Sequence, residues 1–225
     1  MSWSEIDSAE FVEHGLNFVP DRDVQMQILG DLIPPLEGAH VVELCCGEGL
    51  LSANLLARFP DVTVHGYDGS PLMLRRAQWR NPNRFEAVLF NLAAPNWRTF
   101  SFPVHAIVSS LAIHHLDGEQ KRELFRDMAQ CLSPGGVLAI ADIVQPATTQ
   151  GTNLAARQWD DSVPNREAFE QARWNLFRYP DPETDRPSTL FDQLRWLYEA
   201  GLRDIDIYYM KAGHAIFGGG KPRKT

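Results

Sequence analysis

Cysteine is scarce in this chain: Cys45, Cys46 and Cys131 are the only three in 225 residues. An odd count with two neighbours makes no disulfide framework and fits a reducing, cytoplasmic setting. A zinc site is not expected either, because Cys45 and Cys46 lack the spaced Cys or His ligands that zinc needs. Positive charge is also short: 21 Lys+Arg against 29 Asp+Glu leave a net charge of −8. Such a chain repels phosphate backbones, which disfavours a sequence-independent grip on nucleic acid. No apolar run approaches the roughly 20 residues of a membrane span. The opening MSWSEIDSAE lacks the basic-then-apolar pattern of a signal peptide. Repeats and low-complexity tracts are absent. What is present is ordinary globular composition, 44% hydrophobic and 22% charged. At roughly 150 residues per domain, the length gives one domain with extra material. A chain of this size buries about 70% of its unfolded surface and needs no covalent staple.

Periodicity divides the chain. Residues 1–36 read as helical, with Val24, Ile28, Leu29 and Leu32 at helical spacing and Pro34-Pro35 ending the pattern. A short apolar run at Val41–Leu44 then meets Gly47 and Gly49, and Leu51, Leu55 and Phe59 share a helical face. Val62–Tyr67 reads as a second strand, followed by a helix through Met73 and Ala77. Phe85, Ala87 and Leu89 alternate as a third strand, and Val104–Ser109 make a fourth. Asp117 and Gln120 have capping-box spacing and open a helix carrying Leu124, Met128 and Leu132. Pro134-Gly135-Gly136 stop that helix before a fifth strand at Val137–Ala141. Strands alternating with helices predict an α/β fold with a doubly wound parallel sheet. The rhythm breaks between Ile143 and Ser188, where Trp159, Phe169, Trp174, Phe177 and Tyr179 stand among polar residues. So long a segment is expected to hold one or two helices. We read it as a lid, the alternative being a decoration over a sheet edge or a dimer contact. Leu190–Ala200 returns to helix, and Ile205–Phe217 forms a terminal antiparallel hairpin turning at Gly213. The closing GGGKPRKT reads as a mobile tail.

The stretch Glu43-Leu44-Cys45-Cys46-Gly47-Glu48-Gly49 runs from strand to helix, where a ligand meets backbone N–H groups. A dinucleotide fingerprint needs G-x-G-x-x-G. Aligning its middle glycine on Gly47 calls for glycine where Cys45 and Leu50 stand, so the pyrophosphate and dehydrogenase reading fails on spacing. Glu43 and Glu48 would also repel phosphate, and suit a ligand carrying positive charge. Asp68 ends the second strand 21 residues after Gly47, the place for an acid that accepts from a ribose diol. Its plain alternative is a cap for the helix at Ser70-Pro71. Met73 reads equally as a flat surface for a base or as core.

Together these segments resemble the class I S-adenosylmethionine-dependent methyltransferases, in particular their broad small-molecule group. VVELCCGEG is similar to the first motif of that family, HGYDGSPLMLRRA to the second and LSPGGVLAIAD to the strand-five motif. HAIVSSLAIHHL resembles its strand-four segment and EAGLRDIDIYYMKAGHAIFGG its terminal hairpin. The resemblance runs from about Val19 to Gly219. It implies a Rossmann-like sheet of seven strands with the last antiparallel, and S-adenosylmethionine as cofactor. It also divides the single domain into N-terminal helices over 1–36, a cofactor-binding core over 37–143, a lid over 144–189, a final helix and hairpin over 190–219 and a tail over 220–225. By position it implies that Glu43, Cys45, Gly47 and Gly49 cradle the methionine portion, with Glu43 near its ammonium. Asp68 would hold the ribose, Gly69 and Met73 would pack on adenine, Asn91-Leu92 would meet the adenine edge, and Ser109 would face the sulfonium. Two departures stand out: Cys45 replaces the first motif glycine, and Asn91 replaces an Asp, so its amide accepts without charge assistance.

Methyl transfer from a sulfonium is an in-line displacement, so positioning carries much of the catalysis. His114 and His115 lie just past strand four and are the candidate bases, the alternative being a loop hydrogen bond and packing. Arg22 is a candidate for the cofactor carboxylate, or else a solvated helix charge. Arg157 and Arg173 are candidates for an acidic acceptor, or else part of a solvated face. Strand four carries no N-P-P-[YF] after it and no acid at its end, which disfavours amide methylation and a magnesium catecholate site. The expected acceptor is a small, partly aromatic metabolite. Two other readings stay open: a tRNA-modifying enzyme, for which only Lys221–Lys224 supplies basic charge, and a non-catalytic module that binds the same cofactor. Membrane association is not expected. The oligomeric state is open, a homodimer included.

Overall fold

The computed structural model describes residues 19–34 and 38–223, with residues 8, 11–13 and 15 before them. Part of the expected helical run over 1–36 falls outside these residues. Its described part includes α1 (Arg22–Asp31), which ends before the prolines. The core follows as β1 (His40–Leu44), α2 (Leu50–Arg58), β2 (Thr63–Asp68), α3 (Pro71–Arg80), β3 (Phe85–Leu89) and β4 (Val104–Ser110). A single 3-10 turn (Ile113–His115) leads into α4 (Gly118–Cys131) and β5 (Leu132–Ile143). The insertion holds α5 (Thr149–Ser162) and α6 (Arg166–Ala172). The chain closes with α7 (Leu190–Glu199), β6 (Arg203–Lys211) and β7 (His214–Gly220).

The seven strands form one sheet in the order β3-β2-β1-β4-β5-β7-β6. The first five are parallel to their neighbours, and β7 pairs antiparallel with both β5 and β6. The central strands are buried on both faces, which is why β1 reads as a continuous apolar run. On one face Val42, Leu44 and Ile107 meet Leu124, Phe125 and Met128 of α4 and Leu197 of α7. On the other face Val41, Val64 and Ala106 meet Leu29 of α1, Leu55 of α2 and Ala77 of α3.

Three sequence expectations change here. Trp159, Phe169, Phe177 and Leu176 of the insertion turn inward and form a satellite core on Ile143 and Ala212. These aromatic rings satisfy one another instead of facing a ligand. The GGG of the expected mobile tail is the end of β7, packed so closely that a Cβ at Gly218 would lie 2.2 Å from the Leu138 carbonyl oxygen. Lys221 is also tied down, donating from Nζ to the carbonyls of Gln130 (2.8 Å) and Leu132 (2.6 Å). Finally, β5 begins at Leu132 and carries Pro134-Gly135-Gly136 within it, so α4 ends at Cys131 without a separating loop. Among the described residues, no helix is long and apolar enough to cross a membrane.

Candidate active site

The strand order reverses between β1 and β4. In an open α/β sheet this switch point leaves a crevice beyond the carboxyl ends of the strands. A cavity of about 460 Å³ lies there, walled by the segments that follow β1, β2, β3 and β4. That volume falls in the range of roughly 300–1,000 Å³ usual for small-molecule sites.

The β1 side of the cavity is a charged turn. Cys45 has φ +55°, a left-handed conformation that ordinarily belongs to glycine, and Gly47 follows at φ +54°. Nothing lies within 4 Å of where a Cβ at Gly47 would stand, so its role is backbone shape. The Gly47 N–H donates to Asp68 Oδ2 at 2.8 Å, and the Ser70 N–H donates to Asp68 Oδ1 at 2.8 Å. Asp68 therefore fixes the two turns relative to each other. It does not cap α3; that cap is Ser70, whose Oγ accepts from Met73 N.

Glu43 is buried and accepts a short hydrogen bond from the Ser52 hydroxyl. Burial pushes its carboxyl up to about 7, despite that bond and the nearby Arg22 charge. Glu48 is different: its carboxylate pairs with Arg80 at 3.1 Å and more loosely with Arg76 at 3.9 Å, so its charge is compensated at the rim. Arg22 reaches in from α1, stacked over the Phe11 ring at 5.6 Å. Among the described residues, its Nε and Nη1 are buried without a hydrogen-bond partner, and burial draws its guanidinium downward. A buried donor left unmade is costly, so these atoms point to an anionic group as their complement. Burial also pushes the Cys45 and Cys46 thiols well up, which leaves both unreactive.

Of the expected residues, Arg22, Glu43, Cys45, Gly47, Asp68, Gly69, Met73, Asn91, Leu92 and His115 line this one cavity. Asn91 spends one acceptor position of its amide on the Ala93 N–H at 3.0 Å, shaping the turn after β3. Three expectations are corrected. Ser109 is fully buried and donates from Oγ to the Leu44 carbonyl at 3.1 Å; the strand pleat turns Ser110 to the cavity instead. Gly49 stands behind the turn as the left-handed cap of α2, where a Cβ would press on Asn81 and Ala77. His114 does not reach the cavity. Its ring is buried against Asp142, with Nδ1 2.5 Å from Oδ1. Burial opposes charging His114, but the Asp142 carboxylate outweighs it and holds the imidazole above its ordinary value. Arg157 and Arg173 also lie outside the cavity walls, and Arg173 stacks on Tyr179 at 4.7 Å.

The far wall carries residues that sequence reading passes over. Gln120, Thr184 and Arg186 line it beside His115. Among the described residues, the Arg186 guanidinium has a single long ion pair, with Asp117 at 3.9 Å. The segment 184–188 is strapped down by buried Lys121, whose Nζ donates to the carbonyls of Leu116 (2.6 Å) and Arg186 and to Ser188 Oγ (3.1 Å). Burial draws the Lys121 ammonium down to about 8. Asp185 sits between His115 Nδ1 (3.2 Å) and His114 Nε2 (3.5 Å). No local motif joins residues 70 positions apart, so this grouping is invisible in the sequence.

Comparison with known proteins gives a consistent picture. Residues 41–136 match the family model of a methyltransferase domain. An uncharacterized methyltransferase of Mycobacterium tuberculosis is 28% identical over 180 residues, covering 73% of this chain and 81% of that protein. The trans-aconitate 2-methyltransferase of Deinococcus radiodurans is 33% identical over 142 residues, covering 62% of this chain but 49% of the relative. Among solved structures, an O-methyltransferase family protein from Burkholderia thailandensis superposes with a TM-score of 0.66 at 15% identity, over 90% of this chain. The chain spans only 57% of that structure, so the likeness speaks for the fold.

Proposed function

We propose, from the premise that this chain is a class I S-adenosylmethionine-dependent methyltransferase, that it methylates a small acceptor carrying a carboxylate, seated at the His115 end of the cavity. The carrying observation is the division of the cavity into two chemically different ends. One end offers Glu43, Asp68 and the unpartnered Nε and Nη1 of Arg22. These fit S-adenosylmethionine, with Arg22 toward its carboxylate, Glu43 toward its ammonium and Asp68 toward its ribose. Gly69, Met73, Asn91 and Leu92 supply the surface for adenine. The other end offers His115, Gln120, Thr184 and Arg186, with Leu111, Ala112 and Leu116 as the apolar wall.

When bound, S-adenosylmethionine supplies a methyl group already activated on a sulfonium. The residues then have to hold the acceptor in line and keep water out. Arg186 gives an anionic acceptor a planar, two-pronged partner. His115 meets the acceptor near the reacting atom, and His114 with Asp142 sets the turn that carries it. The aromatic side chains of the insertion are occupied in their own core, so an aromatic acceptor has little support here. The name of the trans-aconitate relative, which acts on a polycarboxylate, favours the same class. The tRNA reading rests on the short basic tail, of which Lys221 is bound to two backbone carbonyls.

The test is calorimetric titration with S-adenosylmethionine, followed by assay of demethylated product with small carboxylic acids as acceptors. A charge-assisted hydrogen bond is worth roughly 1.5–3 kcal/mol, so Asp68→Ala should weaken the cofactor about tenfold to a hundredfold. His115→Ala should lower turnover more than cofactor affinity. No binding at millimolar cofactor would end the reading, and binding without any product would leave a module that only holds the cofactor.

A further inference from the structure

The loop after β4 and the strap at 184–188 bring three metal-binding side chains together beside the cavity. His114, His115 and Asp185 offer ligand atoms that all lie within 4.8 Å of one another. Asp185 Oδ1 is 3.2 Å from His115 Nδ1 and 3.5 Å from His114 Nε2. A separation of 3.5 Å is beyond a good hydrogen bond. It is close to the spacing of about 3.3 Å between two ligands that each stand roughly 2.0–2.1 Å from a tetrahedral zinc.

We propose that His114, His115 and Asp185 form a binding site for a divalent transition-metal ion of the zinc class, opening onto the acceptor end of the cavity. Two imidazoles and one carboxylate are a borderline donor set, suited to zinc or its neighbours and poorly suited to magnesium. Three protein ligands with one position left for water or an acceptor oxygen are the pattern of exchangeable zinc sites.

The supporting shell is already built. Metal-bound histidines commonly present their other ring nitrogen to a carboxylate, which fixes the ring. His114 does this with Asp142 at 2.5 Å. Asp142 is itself held by the N–H groups of His114 and Ile143, each at 2.8 Å. Asp185 is held in place from both sides. Its N–H donates to the Asp181 carbonyl, and the next N–H, that of Arg186, donates to the His114 carbonyl at 2.8 Å. His115 Nδ1 also stands 3.1 Å from the Thr184 carbonyl, a contact it gives up when its lone pair serves as the ligand. The nearby cations are directed elsewhere, Lys121 to backbone oxygens and Arg186 toward Asp117. His115 and Thr184 both line the cavity, so an ion here would meet a carboxylate or hydroxyl oxygen of an acceptor.

This inference goes beyond methyl transfer and does not depend on it. Its test uses the full chain, stripped with a chelator and titrated with Zn²⁺ against a competing indicator and with Co²⁺ by visible absorption. One ion per chain is expected, with cobalt bands of a four- or five-coordinate site. Asp185→Asn and His115→Gln, both at partly exposed positions, should each weaken binding at least tenfold while leaving the fold intact. Absence of saturable binding, or equal affinity in both variants, overturns the site. Titration of the stripped protein with S-adenosylmethionine separates the two proposals. Cofactor binding without metal binding removes the metal site alone, and the reverse removes the methyl-transfer reading alone.

Discussion

At the scale of the residue, Glu43 shows how burial sets function against stability. Its carboxyl stands at about 7 in the folded chain, against an ordinary value of 4.5. Between those values the folded state binds the proton more readily than the unfolded state. Stability therefore declines as pH rises through this window. Glu43→Gln should raise the thermal midpoint of the cofactor-free protein above pH 7, read by scanning calorimetry at pH 5 and pH 8, with little change at pH 5. If Glu43 faces the cofactor ammonium as proposed, the same substitution should weaken S-adenosylmethionine by removing that counter-charge. In the parent, binding near pH 7 should release a fraction of a proton, seen as a buffer-dependent calorimetric enthalpy that the variant lacks. Cys45 makes a related point. A side chain in a left-handed conformation costs roughly 1–2 kcal/mol, and Cys45 holds φ +55° at the turn of the cavity. The substitution of glycine by cysteine was legible in the sequence, but the backbone strain was not.

At the scale of the element, the strap at 184–188 lines the far wall of the cavity, and Lys121 of α4 holds it. Lys121→Met keeps the volume but leaves the Leu116 and Arg186 carbonyls and Ser188 Oγ without their donor. Unmade buried hydrogen bonds cost about 1–3 kcal/mol each. The variant should lose about 2–4 kcal/mol in urea unfolding, and amide exchange at 184–188 should rise well above that of α4. Unchanged exchange would show that the strap is held by other contacts. The start of α4 was readable because a capping box is local: Asp117 and Gln120 exchange the expected pair of bonds. The strap was not readable, because its fastening residue lies more than 60 positions away on another element.

At the scale of the whole molecule, the chain joins two sheet faces to a third, smaller core under α5 and α6. His214 sits at that junction, fully buried, edge-on to Trp159 at 4.5 Å. Its Nδ1 donates to the Ala212 carbonyl at 3.1 Å, and its Nε2 is buried without a partner among the described residues. Burial draws the imidazole down from 6.5 to about 4. The unfolded chain therefore takes up a proton that the folded chain refuses. Stability falls as pH drops from 6.5 toward 4, by roughly 3 kcal/mol at the lower end from this group. Urea unfolding across that range should show the loss, and His214→Asn should flatten it. A slope equal in parent and variant would move acid sensitivity to other groups.

The sequence by itself determined the alternation of strand and helix, the glycine turn after β1, the acid at the end of β2 and the terminal hairpin. Each rests on near neighbours: a period of two or 3.6 residues, a cap three residues on, a turn that needs glycine. Only the tertiary structure decided which of two adjacent serines faces the cavity, that the insertion's rings pack on themselves, and that GGG is a buried strand. It alone decided the meeting of His114, His115 and Asp185. Those outcomes depend on pleat direction and on packing between segments far apart in the chain, where hydrophobic burial chooses partners that no local spacing records.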